Sequence, residues 1–587
     1  MRFKLFTAVL VILIISLFAL YPSFNLGLFG DDWLAFFRYA QHLGPRSPGA
    51  WNHLTYYLTP YGPQDILMGL LQRVFDYQST WYYLISYILR LIAAFSFYPL
   101  VFYLTKNKFS SFFAVLFFSV TTTGLDTTNW VFNMPSYVTV ALFNLCLLFF
   151  IKQREKEDIK LLLLAAIFYY FAYITTPIRM HGSLIFLFSL EAFYVLQERT
   201  IRITKKALIR FAVMLGVFLI IRYTGQSQGP LQEPSERFFL GIKAMSEMIS
   251  QGRFDFVFYP VIMFGSAIIP DFILPSFQVI SKSKLLVMNL IPSFLAFLVF
   301  SFLLIKNISV AKMDFFKRVV FTAIGWVIVI IITFHFNLAT LNDGRFIYLL
   351  LIGGFSISLV GLLIIKYFKE KIVSTALFLG LSWSICSFFF AWWWVPASIF
   401  PTTYRYLIVT AMGVSVILAT IISLGKNKKQ QTALFTIFCL IILIHIISSH
   451  IFINYSLNSH NQQISGKIWS SIPKVPEIGK SKEPIIFYFE GDDTNGGILH
   501  DVITFGFPPH MAMLYGLREE CGCIPSPMSD FKDVVSAVSD GKSLRAYGYP
   551  TVPVSINRVY AFHLQGKDNL INVTAEARAK LKQLLSQ

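Results

Sequence analysis

The chain has 587 residues, of which 56% are hydrophobic and only 14% charged, and its mean hydropathy is +0.62. Those values exclude a water-soluble globule, and the absence of alternating apolar–polar runs argues against a membrane barrel. The net charge of +18 does not mark a nucleic-acid binder, because its Lys and Arg residues sit in short loops between apolar runs.

Apolar runs near the roughly 20 residues that cross a bilayer as a helix recur along most of the chain, so the predicted class is an α-helical polytopic membrane protein. The first run, residues 5–22, follows Arg2 and Lys4 and lacks a small-x-small cleavage pattern before Asp31. It reads as the first span, with its N-terminus inside. Residues 23–80 then form an outer loop that carries Trp51, Tyr56, Tyr57 and Tyr61 and is expected to hold interfacial helices.

Further spans are predicted at 81–104, 109–125, 137–151, 161–176, 183–197 and 208–223. Lys106 and Lys108, then Lys152 to Lys160, then Arg199 to Arg210 mark the inner loops, whereas 126–136 contains neither Lys nor Arg. Residues 235–249 read as an amphipathic surface helix, and 254–270, broken by Pro260 and Gly265, as a re-entrant or interfacial segment. Spans at 286–305, 319–336, 346–365, 372–391, 406–424 and 432–453 bring the total to about thirteen and leave the C-terminus outside.

The chain divides accordingly into a membrane part, 1–453, and a small extracytoplasmic α/β domain, 454–587. Strands are predicted at 484–490 and 559–564 and a closing amphipathic helix at 574–585. Cys521 and Cys523 suit a disulfide or part of a metal site, and Cys146, Cys386 and Cys439 lie in apolar runs as packing residues.

Gly30-Asp31-Asp32-Trp33 places two adjacent carboxylates where the first span meets water, which is costly unless they are used or neutralised. One of them suits the start of the following helix, leaving the other free as a general base. On the same predicted side lie Asp126, Arg179, His181, Asp343, Arg345 and Arg405. An Arg at the outer start of a span either anchors the interface or grips a phosphate with its planar donors. Arg90, inside the second span, should face the interior and find a partner, an ion pair by default.

The acidic pair after the first span, the span count and the external C-terminal domain together resemble the GT-C glycosyltransferases, with protein mannosyltransferases and lipid A aminoarabinose transferases nearest in layout. The resemblance covers the topology, and its sequence-specific part is Gly30-Asp31-Asp32-Trp33 with the later Arg–aromatic positions. It implies a plasma-membrane enzyme with a polyprenyl-phosphate-linked sugar donor. Asp31 or Asp32 would be the base that deprotonates an acceptor hydroxyl on a lipid, glycan or protein. The transfer would invert the anomeric carbon, and Arg345, Arg405, Arg179 and His181 would receive the lipid phosphate. A divalent metal held by Asp126 and Asp343 with the Asp pair stays open, because no acidic cluster diagnostic of one is present. The rival readings are a transporter or lipid flippase, which would line a path with the same residues, and a non-catalytic scaffold.

Overall fold

The computed structural model describes residues 2–28, 30–42, 57–224, 234–274, 282–308, 312–338, 344–392 and 404–459, and, beyond these, 468–469, 471–472, 475, 478, 483–492, 499, 506–518, 522–541, 552–566 and 569–586. Trp51, Tyr56, Asp343 and Cys521 lie outside them. In chain order the helices are α1 (Arg2–Leu20), α2 (Asp31–His42), α3 (Gly62–Phe75), α4 (Ser79–Thr105), α5 (Lys108–Val120), α6 (Asp126–Asn129), α7 (Pro135–Lys156), α8 (Ile159–Thr175), α9 (Ser183–Glu198) and α10 (Ile201–Thr224). They continue with α11 (Pro234–Ser250), α12 (Asp255–Ile268), α13 (Lys282–Asn307), α14 (Lys312–His335), α15 (Gly344–Lys366), α16 (Lys371–Trp392), α17 (Ile408–Ser423) and α18 (Lys428–Ser459). Three further helices, α19 (Phe507–Leu514), α20 (Phe531–Ser539) and α21 (Thr574–Leu585), belong to the C-terminal part with strands β1 (Ile486–Gly491), β2 (Ser526–Met528), β3 (Val559–Gln565) and β4 (Asn569–Asn572).

Among the described residues, eight helices are long and apolar enough to cross a membrane, and five shorter apolar helices accompany them. The chain is a multi-pass membrane protein. Each apolar run predicted as a span lies on a helix, because a run without charges can satisfy its backbone inside a bilayer only by intrahelical bonding. The expected inner loop 199–210 is different: Arg202, Lys205, Lys206 and Arg210 lie on the first turns of α10, and Arg210 is buried. The segment expected to be re-entrant forms α12, whose 14 residues span about 21 Å, less than a bilayer core. It packs tightly on α15: a Cβ on Gly265 would stand 2.1 Å from the Leu349 carbonyl and one on Gly353 would stand 1.9 Å from that of Val261. Only glycine permits so close an approach of two helix backbones.

Arg90 is fully buried, as its place in α4 requires, but its partners are oxygens of neutral groups. Nη1 donates to Thr128 Oγ1 (2.9 Å), and Nη2 donates to the carbonyls of Thr121 and Phe118. The expected ion pair is replaced by carbonyls at the C-terminal end of α5, which accept from the guanidinium as a carboxylate would.

The outer loop folds as α2 and α3, and the C-terminal sheet packs beside them. Strand order is β2-β1-β3-β4, with β2, β1 and β3 parallel and β4 antiparallel to β3. Side chains alternate across a strand, so both faces of this sheet are apolar. Ile486, Tyr488, Val559 and Ala561 face α20 and α21. Phe487, Phe489, Phe562 and Leu564 enter one core with Trp33, Phe36 and Phe37 of α2, Met68 of α3 and Val131. The helix that contains the expected boundary at 453 runs on to Ser459. Cys523 is disulfide-bonded, and Cys146, Cys386 and Cys439 are free thiols within bundle helices.

Candidate functional site

The site begins at the turn between the first span and α2. Gly30 adopts φ +52°, a left-handed conformation that favours glycine, and its Cα lies against Trp130, whose ring a Cβ would meet at 3.3 Å. On its other side the Gly30 carbonyl would stand 2.1 Å from a Cβ on Gly506, at the head of α19. The motif is therefore clamped between the α6 region and the C-terminal part. Trp33 closes the clamp, with the imidazole of His510 at 4.2 Å and Trp469 at 6.4 Å. Burial pushes the His510 pKa down to about 4, so the ring that meets Trp33 edge to face is neutral.

Asp31 and Asp32 occupy the first turn of α2, where the helix dipole favours carboxylates. Consecutive helical residues point about 100° apart, so the two acids meet different surroundings. Asp32 is fully buried and its Oδ1 accepts from the Phe132 N–H at 2.5 Å. Gln64 Nε2 of α3 donates to the Phe132 carbonyl at 3.1 Å, so the backbone of one residue is held at both its N–H and its C=O. The backbone that Asp32 serves thus lies on another segment and not at the start of its own helix, where a cap was expected.

Asp31 remains partly accessible. Burial of its carboxyl raises its pKa above the usual carboxylate range, against the pull of the Arg405 and Arg38 guanidiniums. Arg38 lies two helical turns further along α2 and forms an ion pair with buried Asp65 at 3.0 Å. Asp126, at the start of α6, also feels Arg405, yet burial pushes its pKa up to about 7.

Arg405 enters from the turn before α17. Its guanidinium lies over Trp130 (4.4 Å), Tyr406 (4.9 Å) and Tyr404 (5.2 Å), and its carbonyl accepts from Thr127 Oγ1 at 3.0 Å. Arg179 approaches the Tyr406 ring at 4.0 Å. It is buried, with Nε donating to Ser136 (3.2 Å) and Nη2 to Asn133 (3.1 Å), while Nη1 has no partner among the described residues. Two guanidiniums therefore share one aromatic ring, and one of them keeps an unused buried donor.

Asp31, Asp126, Arg405 and Arg179 thus line one region. Arg345 is half-buried at the start of α15, next to Phe346, which packs with Ile178, Tyr404 and Tyr406. His181 is half-buried two residues beyond Arg179. Asp343 lies outside the described residues, and among those described no three His, Cys, Asp or Glu side chains gather as a metal site requires. Trp130 and Arg38 escaped the sequence reading, which took Tyr404 and Tyr406 as the aromatics that flank Arg405. Only Arg38 carried a signal, its spacing from Asp31 on one helix face.

Fold and site together define a multi-pass membrane protein with an acid–guanidinium cluster beside α2, the helix on which a small mixed sheet packs. No family model matches the chain, and no curated protein matches it in sequence. Among solved structures it is similar to the oligosaccharyltransferase of Archaeoglobus fulgidus in complex with zinc and sulfate, with a TM-score of 0.42 at 12% identity over 94% of this chain and 67% of that one. The same archaeal oligosaccharyltransferase, AglB, in complex with an inhibitory peptide and a dolichol-phosphate, matches with a TM-score of 0.31 at 13% identity, covering 96% and 70%. Tethered to an acceptor peptide, it matches with a TM-score of 0.28 at 13% identity, covering 90% and 64%, so the chain spans about two thirds of that enzyme's length. The chemistry of the pocket is accordingly taken from its own residues.

Proposed function

We propose that this protein is a membrane glycosyltransferase that moves a sugar from a polyprenyl-phosphate-linked donor to an acceptor hydroxyl on the extracytoplasmic side. The observation that carries the reading is the Tyr406 ring shared by two guanidiniums, buried Arg179 at 4.0 Å and half-buried Arg405 at 4.9 Å, in the region that holds Asp31. Two like charges brought together away from water call for an anion between them, and a phosphate presents oxygens to both. Arg345, next in sequence to Phe346, and His181, two residues beyond Arg179, are the further phosphate ligands of this reading.

Asp31 is the base. It alone of the pair is unencumbered by a backbone donor among the contacts described, and its raised pKa improves it as a proton acceptor near neutral pH. The acceptor oxygen attacks the anomeric carbon as its proton passes to Asp31. The bond from that carbon to the phosphate oxygen breaks, inverting the centre, and the lipid phosphate leaves with the electron pair under the charge of Arg405 and Arg179. Asp126 adds a second acid to the same region. The basic helix ends and the N-terminus face the cytoplasm, and the C-terminal sheet covers the pocket outside the plasma membrane.

Purified protein given a labelled polyprenyl-phosphate sugar and a lipid, glycan or peptide acceptor should release polyprenyl phosphate. Asp31→Asn should slow turnover about 10²- to 10⁴-fold. An inserted D31N protein that turned over at the native rate would remove the base, and transport across vesicles without turnover would identify a flippase.

A further inference from the structure

The opposite end of α7 holds a second charged constellation that sugar transfer does not use. α7 starts beside Arg179's partner Ser136 and runs 22 residues, about 33 Å, to a last turn that carries Arg154. There a cavity of about 460 Å³ opens between the ends of α4, α7 and α9 and the starts of α10 and α16. Arg154 lines it with a side chain only 4% exposed. Its plane lies 3.8 Å from the Tyr194 ring.

The acids around this cavity are engaged. Glu191 is gripped by the Nε and Nη2 edge of Arg210 at 3.1 and 2.7 Å. Glu157 pairs with Lys206 and with Arg202 (3.6 Å), Glu198 pairs with Lys371, and Glu155 accepts from the Tyr103 hydroxyl. Arg154 is left with Glu191 at 3.8 Å, beyond hydrogen-bond reach, and its buried Nε and Nη2 make no hydrogen bond. Those two donors form the edge of a guanidinium that binds two oxygens of one anion at once. Two guanidiniums thus face one carboxylate that a single one already occupies, and Arg154, which lines the cavity, keeps two buried donors that make no hydrogen bond.

We propose that this cavity is an anion-binding site for a phosphoryl group, held bidentately by Arg154 and separate from the sugar-transfer pocket. Its volume exceeds what a bare phosphate fills and lies within the range of small-ligand pockets, about 300 to 1,000 Å³, so a phosphorylated headgroup also fits. The phosphoryl group comes either from a phospholipid of the adjoining leaflet or from a soluble phosphate.

Hydrogen exchange of peptides covering 150–158 and 194–204 reads this end of the bundle apart from the outer pocket. In detergent, inorganic phosphate should protect them. In nanodiscs, phosphatidylglycerol should protect them more than phosphatidylcholine if the source is lipid. Either response supports the site and tells the two sources apart, provided Arg154→Gln weakens it about tenfold or more. Ile203→Trp, which fills the rim without touching the ion pairs, should abolish the response and carries the test if R154Q does not insert. Protection unchanged by the folded variants, or absent with both phosphate and anionic lipid, overturns the proposal.

Discussion

Asp31 and Asp32 are neighbours in sequence with opposite employments. Asp32 spends its carboxylate on the Phe132 peptide inside the protein, whereas Asp31 faces two guanidiniums at the pocket. Asp32→Ala should leave the Phe132 N–H buried without an acceptor and cost about 1–3 kcal/mol of stability, seen as a lowered Tm. Asp31→Asn should leave Tm almost unchanged while turnover collapses. The pH profile supplies a second test. Arg405 lowers the Asp31 pKa against the rise caused by burial, and a base works only when deprotonated, so activity should fall on the acid side as Asp31 takes up a proton. Removing the cation with Arg405→Gln lets that pKa climb further, so the acid limb of kcat should move to higher pH. A limb that stayed in place, or moved to lower pH, would show that Asp31 is not the titrating base.

At the scale of elements, the join between α2 and α19 decides whether the motif is held. Gly30 and Gly506 meet backbone to backbone, and a single methyl on Gly506 would press on the Gly30 carbonyl at 2.1 Å, a rigid neighbour that cannot swing aside. Gly506→Ala should therefore cost about 1–3 kcal/mol and disturb the turn that aims Asp31, lowering turnover together with Tm. Loss of stability with full activity would separate that contact from the site. The sheet behind α19 explains why its strands lack a polar face. Phe487 and Phe489 leave β1 toward α2 and α3 while Ile486 and Tyr488 leave it toward α20, so four successive residues serve two cores.

For the whole molecule, the consequence is that bundle and C-terminal part share a core. A chain ending at residue 459 would expose Trp33, Phe36, Phe37 and Met68 as one apolar surface next to the pocket. It should aggregate in mild detergent where the full chain elutes as a single species by size exclusion. A monodisperse, equally stable truncation would make the C-terminal part an appendage. Charge is distributed on the same scale. The outer pocket gathers Asp31, Asp126, Arg179 and Arg405, and the far end of α7 gathers Arg154, Glu191 and Arg210, with the apolar length of the helices between them.

Much of this architecture was readable before any coordinates. An uncharged run of about twenty apolar residues has one way to satisfy its backbone in a bilayer, so helices follow from hydropathy alone. The closing helix and the two longer strands declared themselves by periodicity in the same way. Periodicity is a property of neighbours in the chain, and it is silent on partners. The sequence predicted an acid beside Arg90 where carbonyls of α5 stand and a loop at Arg210 where α10 already runs and the guanidinium meets Glu191, and it did not foresee that the C-terminal sheet shares a core with α2. It also could not divide Asp31 from Asp32. That division rests on Phe132, a hundred positions away, and on Arg405, further still, and only the packed chain brings such residues within reach of an electric charge.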